Sequence, residues 1–137
     1  CSTWFLPRIV GISQALEWIY GADIFDAVEA QRSGLVKKAV APERLLDEAR
    51  AIARRIVDNR SSVAIALARQ MLYRNSAQPH PLEAHRIDSL AMFYTSIGDG
   101  KEGVGAFLGK RAPEFAARVS SDLPPYYDEW IRVCMKR

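Results

Sequence analysis

Cysteine, histidine and long apolar runs are all scarce in this sequence. Its 137 residues include two cysteines and two histidines. Cys1 and Cys134 lie at opposite ends of the chain and form no metal or redox spacing, and no Cys or carboxylate cluster completes a metal site around the histidines. No apolar run approaches the roughly 18 to 20 residues that span a bilayer. The first residues lack the basic start, apolar stretch and cleavage site of a secretory signal. These absences predict a chain without a metal site or a membrane span, in a reducing, cytoplasmic compartment.

The residues that are abundant are typical of a soluble globular protein. Hydrophobic residues make up 49% of the chain and charged residues 26%. The net charge is +3, and the 19 Lys and Arg are interleaved with 16 Asp and Glu, which indicates a solvated surface of mixed sign. Arg50, Arg54 and Arg55 form a small basic patch, so a basic helical nucleic-acid binder is an alternative. The patch is too small to favour it, and we expect no nucleic-acid partner.

Helical periodicity dominates the chain. Apolar residues recur at the three- and four-residue spacing of a helix face, Pro42 begins a long helix, and Ser61 with Ser62 begins a second. The tail also has an amphipathic pattern. The predicted helices cover residues 2–10, 12–20, 26–33, 42–57, 61–75, 82–97, 101–111, 113–118 and 126–135.

Residues 35–40 (LVKKAV) are the best candidate for a strand. A lone strand cannot satisfy its backbone groups, so its partners must lie in another part of the protein. The chain also enters an apolar segment, Trp4-Phe5-Leu6, directly after its first residues, and it has no initiator Met. Natural domain starts are more often polar. Both features predict that further structure precedes this chain.

Few residue combinations could carry chemistry on their own. His80 and His85 are five positions apart and do not share a helix face, and His80 is expected in a loop. Ser61 and Ser62 lack the Gly-x-Ser-x-Gly elbow of a nucleophile, so we expect a helix cap. The glycines between positions 98 and 109 do not follow a predicted strand, which argues against a nucleotide-binding loop. The residues alone therefore predict a mostly helical chain with no catalytic cluster.

Several segments, in order along the chain, resemble motifs of one enzyme family. They are residues 2–11 (STWFLPRIVG), Phe25-Asp26-Ala27 with Glu29-Ala30, Gly34-Leu35-Val36, and residues 101–111 (KEGVGAFLGKR). The middle segments resemble the pattern Gly-x-x-x-x-(Asp/Ser)-Ala-x-Glu-Ala-x-x-x-Gly-Leu-Val, and the last resembles Glu-Gly-x-x-Ala-Phe-x-Glu-Lys-Arg. The ordered set, over residues 2–118, is similar to the crotonase superfamily (enoyl-CoA hydratase/isomerase family).

The resemblance implies a fold class and a division of the chain. The chain would be mainly α: the C-terminal helical portion of a crotonase-type (ββα spiral) fold, with one short strand. Residues 1–41 would end the spiral core with its last strand, residues 42–118 would form a helical trimerisation region, and residues 119–137 would be a tail helix. The implied assembly is a homo-oligomer, a trimer or a hexamer, completed by an N-terminal segment of the same protein.

The resemblance also implies the chemistry of an enoyl-CoA hydratase/isomerase, a lyase or isomerase of fatty acid metabolism. Family members bind an acyl-CoA thioester and stabilise its enolate oxyanion with two backbone N–H groups, while one or two acidic residues move protons. Those groups match positions upstream of Cys1, so no catalytic residue is assigned and the chain alone is predicted to be inactive. The alternative is a non-catalytic helical assembly or interaction module derived from the same family.

Four residues of this chain are candidates for contact with the substrate by this resemblance. Phe107 and Lys110 match positions that contact the CoA nucleotide, where an aromatic ring suits adenine and an ammonium suits a phosphate. Trp4 and Phe93 are weaker candidates for the acyl pocket. The alternative roles are helix core for Phe107, a solvated surface for Lys110, and core packing for Trp4 and Phe93. Gly109 departs from the family's Glu. No cofactor is implied beyond the coenzyme A of the substrate.

Overall fold

The computed structural model describes the backbone of residues 2–135 and the side chains of residues 3–132. Helices dominate this part of the chain, which confirms the mainly α prediction. They are α1 (Ser2–Val10), α2 (Ile12–Gly21), α3 (Ala27–Arg32), α4 (Leu45–Val57), α5 (Ser62–Asn75), α6 (Pro81–Ile97), α7 (Asp99–Leu108) and α8 (Tyr127–Met135), and a 3-10 turn, Pro42–Arg44, precedes α4. The chain divides into two compact units, Cys1–Arg50 and Ala51–Arg137. The two cysteines fall outside the described side chains.

The predicted strand at residues 35–40 is wrong, because this segment is irregular and no strand forms within residues 2–135. Its backbone groups bond locally instead. The Val36 N–H donates to the Ala30 carbonyl at 3.1 Å, and the Ala39 N–H donates to Gln31 Oε1 at 2.7 Å. A strand needs a neighbouring strand to bond with, and the described residues offer none.

The first unit is built on two short helices joined at a glycine. Gly11 adopts a φ of 82°, which an L side chain rarely takes, and this conformation lets α2 turn back to pack against α1. Asp26 caps α3 as predicted, since its side chain accepts a hydrogen bond from the Glu29 N–H at 2.9 Å. The rings of Trp18 and Phe25 stack with their centroids 4.0 Å apart.

The second unit has a hydrophobic core between α5 and α6. Val63 and Leu67 of α5 and Ala91 of α6 are buried together, and partly buried residues surround them, namely Met71, Ala117, Leu123 and Tyr127. Ser61 caps α5 as predicted, because its Oγ accepts a hydrogen bond from the Ala64 N–H at 3.2 Å. Helix α7 packs against α6.

The tail beyond residue 118 packs on the second unit itself. Leu123 and Tyr127 contact the core, and Tyr126 lies against Tyr94 of α6 with ring centroids 5.7 Å apart. The Arg74 guanidinium stacks 5.5 Å from the Trp130 ring. Burial of the Tyr126 ring raises the pKa of its hydroxyl. The tail is therefore a packed part of this unit.

Candidate functional site at the end of helix α7

The predicted CoA-binding residues lie together at the C-terminal end of α7. Phe107 is in the last turn of this helix and Lys110 is two residues beyond its last residue, Leu108. The Phe107 side chain is 82% exposed, so it is not part of the core of the second unit. Among the side chains at residues 3–132, no carboxylate forms an ion pair with the Lys110 ammonium. An exposed aromatic ring and a free cation therefore share one helix end.

The helix end is a Schellman motif. The Lys110 N–H donates to the Phe107 carbonyl at 3.2 Å, and the Arg111 N–H donates to the Ala106 carbonyl at 3.0 Å. Lys110 takes the left-handed conformation of this motif, with a φ of 50°, and Gly109 is the cap residue. Helix α7 ends at Leu108, so the predicted helix over residues 101–111 is too long at its C-terminus.

A bidentate ion pair between Arg111 and Glu102 holds the chain directly after Lys110. The Arg111 guanidinium donates two hydrogen bonds to the Glu102 carboxylate, at 2.5 and 2.8 Å. The Glu114 N–H donates a third, at 2.7 Å. The hydrogen bonds from Arg111 and from the Glu114 N–H lower the pKa of the Glu102 carboxyl to about 2. We call these three residues, Glu102, Arg111 and Glu114, the α7 clamp.

The segment after the clamp is irregular, although residues 113–118 were predicted to be helical. It is held by side chains from two other helices instead: the Ala117 N–H donates to Asp99 Oδ1 at 3.3 Å, and Ser62 Oγ donates to the Ala117 carbonyl at 2.8 Å. These bonds satisfy backbone groups that a helix would have paired internally. The chain therefore runs in a fixed course from Arg111 to the tail.

The electrostatics of this helix end favour Lys110 as the group that would receive an anion. The C-terminal end of a helix carries a partial negative charge, which repels a phosphate and attracts a cation. An anion binding beside Phe107 therefore needs a cation between itself and the helix end. The Lys110 ammonium can supply that charge, and the exposed Phe107 ring offers a face on which a base can stack.

The two predicted acyl-pocket residues lie in different units. Trp4 is in α1 of the first unit and is 50% exposed, with the Arg8 guanidinium 3.5 Å above its ring. Phe93 is in α6 of the second unit and is 57% exposed, edge-on to Tyr94 with ring centroids 5.3 Å apart. Both rings have exposed surface, and neither is fully buried as core packing would require.

A small cavity of about 190 Å³ lies elsewhere in the second unit. Its lining includes Ser61, Thr95, Asp99 and Pro124, and Oδ2 of Asp99 is buried without a hydrogen-bond partner among the described residues. Ligand pockets for molecules of ordinary size enclose roughly 300 to 1,000 Å³. This cavity is too small for an acyl-CoA, and it is not the candidate site.

Other sequence candidates have structural roles here. Ser61 is a helix cap, as predicted, and His80 also caps a helix, since its Nδ1 accepts a hydrogen bond from the Leu82 N–H at 3.1 Å. Within the described residues, no three Cys, His, Asp or Glu side chains could hold a metal ion. Among the described helices, none combines the length and the apolar composition of a bilayer span. Sequence reasoning missed the α7 clamp, whose only sequence signal is a carboxylate early in α7 and an arginine after it.

Residues 1–118 match the family model described as enoyl-CoA hydratase/isomerase. The chain therefore belongs to the enoyl-CoA hydratase/isomerase family, as its motifs predicted. It is similar to a probable enoyl-CoA hydratase of Rhizobium meliloti, with 39% identity over 114 residues. It is also similar to a crotonyl-CoA hydratase of Syntrophomonas wolfei, with 37% identity over 117 residues.

Each of these matches covers 82% of this chain but only 44% and 43% of the respective relative. The crystal structure of an enoyl-CoA hydratase from Bacillus anthracis resembles this fold with a TM-score of 0.75 and 28% identity, and the match covers 82% of this chain and 43% of that one. The chain thus spans less than half the length of the relatives that it matches.

Proposed function

We propose that this chain is the C-terminal helical part of an enoyl-CoA hydratase/isomerase that acts on acyl-CoA thioesters. The family membership supports this proposal, and so does the pairing of an exposed Phe107 ring with the Lys110 ammonium at one helix end. In this proposal the two residues contact the nucleotide part of coenzyme A. No other cofactor is required, because the reaction uses the thioester itself.

The catalytic groups of the proposed enzyme lie outside this chain. Stabilising an enolate oxygen needs backbone N–H groups aimed at it and an acid or base within reach of the substrate. Neither the sequence motifs of this chain nor the exposed end of α7 supplies that set. We therefore assign hydration or isomerisation to the complete family fold, and binding of the nucleotide to residues 107 and 110.

An assembly role is the second candidate, and the exposed apolar surface favours it. Leu45, Leu46 and Ile56 along the apolar side of α4 are exposed, although this helix has the pattern of one that packs against a partner. Large exposed apolar patches mark interaction sites. A trimer or hexamer of the complete protein, with α4 at an interface, is therefore part of the proposal.

The discriminating experiment adds crotonyl-CoA to the purified chain of residues 1–137 and follows both binding and hydration. We expect binding without turnover, and we expect Phe107→Ala and Lys110→Ala each to weaken the binding. Turnover by the pure chain would contradict the location of the catalytic groups outside it. Binding that neither substitution changes, or no binding at all, would favour the assembly module.

A further inference from the structure

We propose that Glu102, acting through Arg111, is a positioning residue that holds Lys110 in place for the phosphate groups of coenzyme A. This inference rests on the proposed function of Lys110 at the nucleotide site. Glu102 itself would not contact the substrate, because its carboxylate is already engaged by Arg111 and the Glu114 N–H. Its effect on binding would pass through the backbone of residues 109–111.

The backbone around Lys110 is fastened on both sides. On one side the Gly109 N–H donates to the Gly105 carbonyl at 2.9 Å. On the other side the Arg111 backbone bonds to Ala106 and the Arg111 side chain bonds to Glu102. Lys110 is therefore the single residue between two anchored neighbours, and its Cα–Cβ direction is set by those anchors. The Glu102 carboxylate is the only part of the second anchor that lies in the first half of α7.

The left-handed conformation of Lys110 costs free energy. A left-handed φ of 50° is disfavoured for an L-residue by a factor of roughly ten in population. The forked Arg111–Glu102 pair has the planar geometry that makes guanidinium–carboxylate contacts specific in direction, so it can select this backbone conformation. Strain of this kind is found where the surrounding structure fixes a side chain for a task.

The consequence for binding follows from the population of the competent conformation. If loss of the clamp leaves Lys110 correctly placed in only a fraction of molecules, the apparent Kd rises by the inverse of that fraction. If only a third to a tenth of the molecules keep the left-handed conformation at Lys110, the Kd for an acyl-CoA rises about three- to tenfold. A thioester of pantetheine, which lacks the nucleotide phosphates, does not engage Lys110, and its Kd stays unchanged.

The test compares Glu102→Gln, Lys110→Ala and the double variant in the native full-length protein. The Kd values for crotonyl-CoA and for the crotonyl thioester of pantetheine are measured by calorimetry. Glu83→Gln is the matched control, because Glu83 forms an exposed ion pair with Arg86 at 3.1 Å on α6 and is not part of the α7 clamp. We expect Glu102→Gln to weaken crotonyl-CoA binding alone, and Glu83→Gln to weaken neither ligand.

The double variant, Glu102→Gln with Lys110→Ala, distinguishes a role of Glu102 in positioning Lys110 from a general effect of Glu102 on binding. If Glu102 acts through Lys110, Glu102→Gln has no further effect in the Lys110→Ala background. Additive losses, or an equal loss for the pantetheine thioester, would overturn the inference. Should Lys110→Ala leave crotonyl-CoA binding intact, the nucleotide site itself would be refuted. A loss with Lys110→Ala but none with Glu102→Gln would refute only the positioning role.

Two more variants keep the test decisive if Glu102→Gln unfolds the helix end. Arg111→Lys keeps the positive charge but loses the fork, and we expect an intermediate rise in the Kd for crotonyl-CoA. Lys110→Gly accepts the left-handed conformation readily, so it should raise the thermal midpoint while weakening crotonyl-CoA binding. Asn59→Gly, at a φ of 56°, is its control and should leave binding unchanged. Full affinity in both Arg111→Lys and Lys110→Gly would refute the inference.

Discussion

The two compact units bury different kinds of side chain. In the first unit the buried apolar residues among the described side chains are Ala15 and Ala30. In the second unit they include Val63 and Leu67, together with two alanines. A buried leucine removes far more apolar surface from water than a buried alanine does. The second unit therefore has the larger apolar core, although both units expose many of their large apolar side chains.

Because of this difference, we expect truncation of a large apolar side chain to have different effects in the two units. Where a large side chain is buried, its truncation leaves a cavity and costs stability. Where it is exposed, as for Phe5, Ile12 and Ile24 of the first unit, truncation should affect association more than folding. The exposed apolar surface of the first unit fits a role in contact with other parts of the proposed enzyme.

Leu67→Ala should produce the largest loss of stability. Leu67 is 1% exposed at the centre of the core of the second unit, and truncating a buried leucine costs about 2 to 5 kcal/mol in the free energy of unfolding. Leu72→Ala on the same helix is the control, because Leu72 is 76% exposed and should cost less than about 0.5 kcal/mol. Urea unfolding followed by circular dichroism measures both, and equal losses would contradict the core described here.

Removing one helix cap from each unit tests whether the two units contribute differently to the free energy of global unfolding. Ser61→Ala and Asp26→Ala each remove a side-chain cap from a backbone N–H, a change that costs a helix about 1 kcal/mol. We expect the free energy of global unfolding to fall for Ser61→Ala, because α5 carries the core. For Asp26→Ala we expect faster hydrogen exchange confined to α3.

Hydrogen exchange and urea unfolding on the same samples test this expectation. Asp26→Asn keeps a capping oxygen and should restore slow exchange in α3. If Asp26→Ala lowered the free energy of global unfolding as much as Ser61→Ala does, the two units would unfold as one, and the contrast between them would be lost.

The sequence predicted features that depend on neighbours along the chain. The caps at Asp26 and Ser61 are hydrogen bonds from an N–H three residues later in the chain. The residue type at each capping position is therefore enough to predict them. The helical periodicity likewise placed most of α4, α5, α6 and α8. The family motif singled out Phe107 and Lys110, and the structure places both at one helix end. Their role in binding stays a prediction.

Features that depend on distant partners were not predictable. The strand at residues 35–40 failed because strand formation depends on a partner that the sequence does not specify. Ile65, Leu67 and Leu72 are equally apolar, but only the packing of α6 and the tail decides that Leu67 is fully buried. The Glu102–Arg111 pair joins residues nine apart, and it forms only because the chain turns at Lys110, which takes a left-handed φ of 50°.

The smallest expected effect is on the pH dependence of stability, because ion pairs in the folded protein lower the pKa of two glutamates. The pKa of Glu102 falls from 4.5 to about 2 in the folded protein, so its contribution is complete above about pH 4.5 and disappears as the pH falls toward 2. The stability difference between wild type and Glu102→Gln should therefore shrink over this window. Arg32 also lowers the pKa of Glu29, and Glu29→Gln makes the same test in the first unit. Urea midpoints from about pH 6 to pH 2 measure both, and a pH-independent difference for Glu102→Gln would show that the α7 clamp acts through packing rather than charge.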